Sequence, residues 1–134
     1  MRNILIMSLL SFFVTGCASQ KYGDFVKLEN SPLVEYVGND VAKRLLSIYP
    51  VGKTTLKFDP ETLGIMGVSI EDKLRDSGFA ISYSDGVPVD YVFDALDERI
   101  YRLTMIIDGV KLSKLYSKDT NGLRPASAWT VVEK

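Results

Sequence analysis

Three groups of residues carry side chains suited to chemistry, and two of them fail on spacing. "VGKTT", residues 51–55, resembles the end of a phosphate-binding loop. Such a loop needs a glycine five positions before the glycine of Gly-Lys-Thr, and here Ser47 stands there. It also needs a strand before it and a helix after it, whereas the flanking patterns read as helix and then strand. Asp90, Asp94, Asp97 and Glu98 offer carboxylates for acid–base work. Asp90 and Asp94 fall on one strand face, but four residues along a strand is about 13 Å. Glycosidase carboxylate pairs stand roughly 5 to 9.5 Å apart. Nor does the spacing supply the central Gly and terminal Glu of a calcium loop. Histidine is absent from the chain, which removes the commonest general base and the commonest zinc ligand. No metal, no cofactor and no catalytic residue are expected.

The third group is a single thiol. Cys17 is the one cysteine in 134 residues, so no internal disulfide can form. It follows a positive start, Met1-Arg2-Asn3, and an apolar run from Ile4 to Val14. As helix that run spans roughly 16 Å, about half of what a transmembrane helix must cross. A charged start, a short apolar middle and small residues at the end are the layout of an export signal. Val14-Thr15-Gly16-Cys17 resembles the bacterial lipobox. In that motif the thiol accepts a diacylglycerol, a peptidase cuts between the residues here numbered Gly16 and Cys17, and the freed amine is acylated. Residues 1–16 are therefore expected to be a lipoprotein signal peptide, and residues 17–30 a lipidated cysteine and tether. Residues 31–134 are expected to form a single periplasmic domain. One acyl chain holds a protein marginally, and more than one makes attachment stable. Residue 18 is Ala rather than the Asp of an inner-membrane retention signal, so the expected address is the outer membrane, with the domain facing the periplasm.

The elements behind these residues follow from periodicity. Acidic and basic residues nearly cancel, 17 against 16, with no long run of one sign, so no direct nucleic-acid binding is expected. "NSPLVEYVGNDVAKRLLSIYP" reads as a helix, with Ser31 able to cap it and Pro32 at its first position. Leu33, Val37, Val41, Leu45 and Ile48 form its apolar stripe. "KTTLKFD" alternates as a strand. Within "PETLGIMGVSIEDKLRDSG", Leu63, Met66, Ile70 and Leu74 share a helical face and Gly78 ends it. Either that helix starts only near Ser69, or Gly64 and Gly67 admit a close neighbour. "FAISYS" and "VDYVFDAL" read as strands. "IYRLTMIIDGVKLSKLY" is a hairpin turning at Asp108-Gly109, "NGLRP" a turn, and "SAWTVV" a last strand. The sum is an α+β domain, two N-terminal helices packed on a mainly antiparallel sheet of about five to six strands.

Tyr83, Tyr91, Phe93, Tyr101, Tyr116 and Trp129 all fall in the strand-rich half. Most belong to the core and to cross-strand pairs. Trp129 and Tyr116 are the candidates for docking a protein partner, because aromatics are enriched at interfaces.

The helix ending in "YP", the "LRDSGFAI" of residues 74–81, and "YRLTMIIDGVKLSKLY" followed by "LRPASAWT" together resemble the TrbH conjugal-transfer lipoproteins. Ser127 replaces the glycine of the family's last turn. The resemblance implies a structural or assembly component of a type IV secretion apparatus, held at the outer membrane by lipid and docked on subunits of an envelope-spanning channel. It implies no catalytic residue. Two other readings of the same residues stand beside it: a generic envelope lipoprotein that binds an assembly or stress factor, and a lipid-anchored envelope hydrolase.

Overall fold

The computed structural model describes residues 21–120 and 122–133. The signal segment, Gly16 and Cys17 lie outside them. Helix α1 spans Pro32–Ile48 and helix α2 spans Ile65–Asp76. Eight strands follow one another as β1 (Gly23–Asp24), β2 (Thr55–Phe58), β3 (Ala80–Ser82), β4 (Val87–Ala95), β5 (Ile100–Ile107), β6 (Val110–Asp119), β7 (Gly122–Pro125) and β8 (Thr130–Val132).

The local chemistry explains the helix limits. Ser31 is extended and Pro32 opens α1, although the serine hydroxyl makes no capping bond. Leu33, Val37, Val41 and Leu45 form the buried stripe, while Ile48 reaches the surface at the helix end. Tyr49 leaves the helix in an extended conformation, as the residue before Pro50 must. Residues 51–53 make one 3-10 turn and β2 begins at Thr55, with the Thr54 hydroxyl donating to Pro50 O at 2.8 Å. "VGKTT" is therefore a helix exit and a strand entry, not a phosphate loop.

The sheet corrects the expectation of five to six mainly antiparallel strands. Among the described residues it has eight strands and is mixed: β1 and β2 both run parallel to β4, and β3 runs parallel to β2. Its centre is an antiparallel meander, β4–β5–β6, with the expected turn at Asp108 (φ 51°) and Gly109 (φ 82°). Each flank of that meander is tiled by two short strands. On one side β2 pairs with Val87–Val89 and β1 with Val92–Phe93. On the other, β8 pairs with Lys111–Ser113 and β7 with Tyr116–Asp119. The additional strands are β1, in the stretch expected to be tether, and β7, in the "NGLRP" expected to be a turn. A two-residue strand has no periodicity to detect, and Pro125 is tolerated in β7 because that strand lies at an edge. Alternation also carries no direction, so the parallel pairings leave no trace in it.

Both helices cover one face of the sheet. Leu56, Phe58, Val89, Tyr91, Phe93, Leu103, Met105 and Ile107 point at them and form one core with the α1 and α2 stripes. Helix α1 runs antiparallel to β6, with Tyr36 edge-on to Tyr116 at 6.1 Å between ring centres. Among the described residues no helix is long and apolar enough to cross a membrane.

Candidate functional site

The two helices lie side by side and point the same way. Their approach is set by Gly38: a Cβ there would stand 2.6 Å from Ser69 Oγ. Ser69 Oγ donates to Val34 O at 3.0 Å, tying one helix to the other. Beside this contact, the start of α1, the length of α2 and the segments before each helix line an open groove of about 930 Å³. Val34, Leu63, Ile65 and Val68 supply its apolar surface, and Ile65 and Val68 are exposed. Glu35, Asp72 and Asp76 line it with negative charge. Among the described residues that line it the one cation, Lys73, is engaged with Glu35 at 3.2 Å. The groove therefore combines apolar contact area with an excess of carboxylate.

The wall of this groove at the start of α2 is fixed by an unusual cap. Gly64 precedes the helix and offers no side chain. Asp24, from β1, supplies the missing acceptor, taking the Met66 N–H on Oδ2 at 3.1 Å. The Tyr91 hydroxyl donates to Asp24 Oδ1 at 2.7 Å and accepts from Gly64 N–H at 2.9 Å and Gly67 N–H at 3.0 Å. A carboxylate at the positive end of a helix is favoured by the aligned peptide dipoles as well as by the hydrogen bond. Both glycines are required by proximity. A Cβ on Gly64 would fall 2.2 Å from Asp24 Oδ2, and one on Gly67 would fall 2.6 Å from the Tyr91 ring. Burial first, and then the hydrogen bond to Asp24, push the Tyr91 phenol well above its ordinary pKa.

A second cluster joins α1 to the C-terminal strands. Asp40 Oδ2 accepts from Lys114 Nζ at 2.7 Å and from the Tyr116 hydroxyl at 2.8 Å. The Lys114 ammonium lies 5.6 Å from the Tyr116 ring centre and 5.4 Å from that of Trp129. Burial first, and then the Asp40 charge, raise the Tyr116 phenol far above its usual value.

These positions decide what each singled-out residue is free to do. Tyr116 is 1% exposed, so its ring belongs to the core and is not presented to a partner. Trp129 is partly buried, packed over Lys114 and against the core. Asp94 is paired with Arg102, and Asp97 accepts the N–H groups of Arg99 and Ile100 in its own turn. Asp90 stands on the opposite face from the helices, its pKa raised by burial and by the nearby Asp59 charge. Among the described residues no three His, Cys, Asp or Glu gather to hold a metal. Neither tyrosine cluster holds a nucleophile beside a free base, because each phenol donates to a carboxylate already committed to other donors.

Sequence reasoning missed Asp24, Asp40 and Lys114, and it placed Tyr91 in the core without its role at the start of α2. One signal was readable: alternation in β6 puts Lys114 between Leu112 and Tyr116 on the core face, and an inward lysine demands a partner.

The family model for conjugal transfer protein TrbH matches residues 19–134. No curated protein matches the chain, and no solved structure does. The match covers the whole of the described domain, and the chain belongs to the TrbH family of conjugal transfer proteins.

Proposed function

We propose that this conjugal transfer component is an outer-membrane lipoprotein whose periplasmic domain docks on subunits of the envelope-spanning secretion channel. Family membership carries the conjugation part of this reading. The lipid anchor rests on Val14-Thr15-Gly16-Cys17, where a lone thiol follows an apolar run too short to span a bilayer. The docking part rests on the acidic, apolar groove between α1 and α2, which suits a partner segment with a basic and an apolar side. Trp129 is the secondary candidate for contact. The protein acts by holding and positioning other subunits, and no chemical step is assigned to it.

The test is made in a conjugating donor. Cys17→Ser moves the protein out of the outer-membrane fraction and lowers DNA transfer. Ile65→Arg with Val68→Arg leaves the protein at its normal level and membrane but lowers transfer. Full transfer by both variants would refute the reading.

A further inference from the structure

We infer that the end of the domain bearing the Asp108–Gly109 turn is its bilayer-facing surface, seated on the lipid headgroups beside the anchor. The inference rests on the reading of Cys17 as the lipidated residue and adds which part of the domain meets the membrane.

Strand register supplies the argument. Gly23 pairs with Val92 and Asp24 with Phe93 in parallel, so the chain enters β1 from the side where β4 begins. Lys21, two residues earlier, is close enough to Asp90 for its charge to act on that carboxyl. Lys21 is four positions after Cys17, a reach of about 14 Å when fully extended. From Asp90 the opposite end of the sheet, at Leu96, is six residues away, roughly 20 Å along the strand. The turn end is nearer: Pro88 is two residues from Asp90, about 7 Å, and its carbonyl accepts from Asp108 N–H at 3.0 Å. An anchor on Cys17 therefore reaches the turn end and falls short of the Leu96 end.

The surface at that end suits lipid. Helix α1 finishes there: its early residues Tyr36 and Asp40 meet Tyr116 near the end of β6, so its last turn lies toward the start of β6 and the Asp108–Gly109 turn. Leu46 and Ile48, in the last turn, are 45% and 42% exposed. Register also puts Val131 and Val132 there, opposite Leu112 and Lys111, and they are 48% and 61% exposed. Four of the nine large exposed hydrophobic side chains of the described residues thus gather at one end. Lys53 and Lys111 are exposed at this end, together with the acidic Asp108 and Glu133. With charges of both signs present, insertion of the apolar groups is the favourable contribution, and the lysine stems can extend toward headgroups.

The experiment uses the full chain made in a lipidating bacterial host. Acylation blocks Cys17, so a single introduced cysteine takes a fluorophore without interference. Chains labelled at Ile48→Cys, Val132→Cys or Leu96→Cys are reconstituted into phosphatidylethanolamine–phosphatidylglycerol vesicles containing headgroup-nitroxide lipid. The expected result is loss of fluorescence at positions 48 and 132 and none at 96. Equal quenching at all three, or quenching at 96 alone, overturns the inference. So does absence of quenching in a protein that floats with vesicles and carries acyl mass on Cys17, a result that would assign the patch to a protein partner. A mass spectrum without acyl groups on Cys17 refutes the anchor itself, and this surface with it.

Discussion

The two tyrosine–aspartate clusters solve one problem with different materials. Each fastens an element from the N-terminal half to the central meander, across 67 residues for Asp24–Tyr91 and 76 for Asp40–Tyr116. The Asp24 cluster is completed by backbone: three N–H groups at the start of α2 point into it, and its two glycines leave no room for a Cβ. The Asp40 cluster is completed by a side-chain cation, Lys114, roofed by aromatic rings. A backbone-built cluster fixes geometry, because its donors cannot move without unwinding the helix. A cation-built cluster carries a larger penalty if broken, because a lysine whose side chain is only 11% exposed is left without its counter-charge.

That contrast can be broken in order of size, using urea unfolding of the full chain as the measure. Asp40→Leu should cost most, about 3 to 5 kcal/mol, by stranding Lys114. Adding Lys114→Met should restore much of that loss, and a double variant no better than the single would contradict the buried-pair account. Tyr91→Phe should follow at about 2 to 3 kcal/mol, since it removes the acceptor of two helix-start N–H groups and the donor to Asp24. Tyr116→Phe should cost only about 1 kcal/mol, because Asp40 keeps Lys114. Equal losses for the two tyrosines would show that the backbone donors add nothing.

The pH dependence sharpens the same comparison. Both phenols have pKa values raised above the ordinary 10.0, chiefly by burial. A raised pKa means that the folded state holds its proton more tightly than the unfolded chain does. This contribution is fully present below pH 10 and is lost as pH climbs toward the folded-state values. The limiting slope is about 1.4 kcal/mol per pH unit for each tyrosine. Replacing either tyrosine by Phe should remove one share of the alkaline slope, measured as the urea midpoint from pH 9 upward. The smallest effect is expected for Trp129→Leu, about 0.5 to 1 kcal/mol for loss of the cation–π contact. A loss beyond 3 kcal/mol would mean that Trp129 is a core residue and not a lid on Lys114.

The regular parts of the fold were legible wherever a pattern repeats. The α1 stripe repeats over four turns, and Asp108–Gly109 is flanked by two long alternating runs, so both appear in the structure where the spacing puts them. For α2 the structure selects between two open readings. The helix starts at Ile65, and Gly64 and Gly67 are there for close approach to Asp24 and Tyr91. An aromatic in a strand suits an interface as well as a core, so the sequence alone offers Tyr116 for docking. Strand parity with Leu112 and the packing of Tyr36 put it inside. The groove left no mark in the sequence, because its lining comes from two helices and the loops before them.

The sequence alone determined the properties that act over short distances along the chain: the helix stripes, the Asp108–Gly109 hairpin turn, the lack of histidine chemistry and a lone thiol behind a short apolar run. Only the tertiary structure decided that β1 and β2 share one flank of β4, that the sheet is mixed, and that Asp24 caps a helix forty-two residues away. The reason is physical. Periodicity reports which side of an element avoids water, but pairing direction and hydrogen-bond partners depend on which elements meet, and that is fixed when the chain closes around its core.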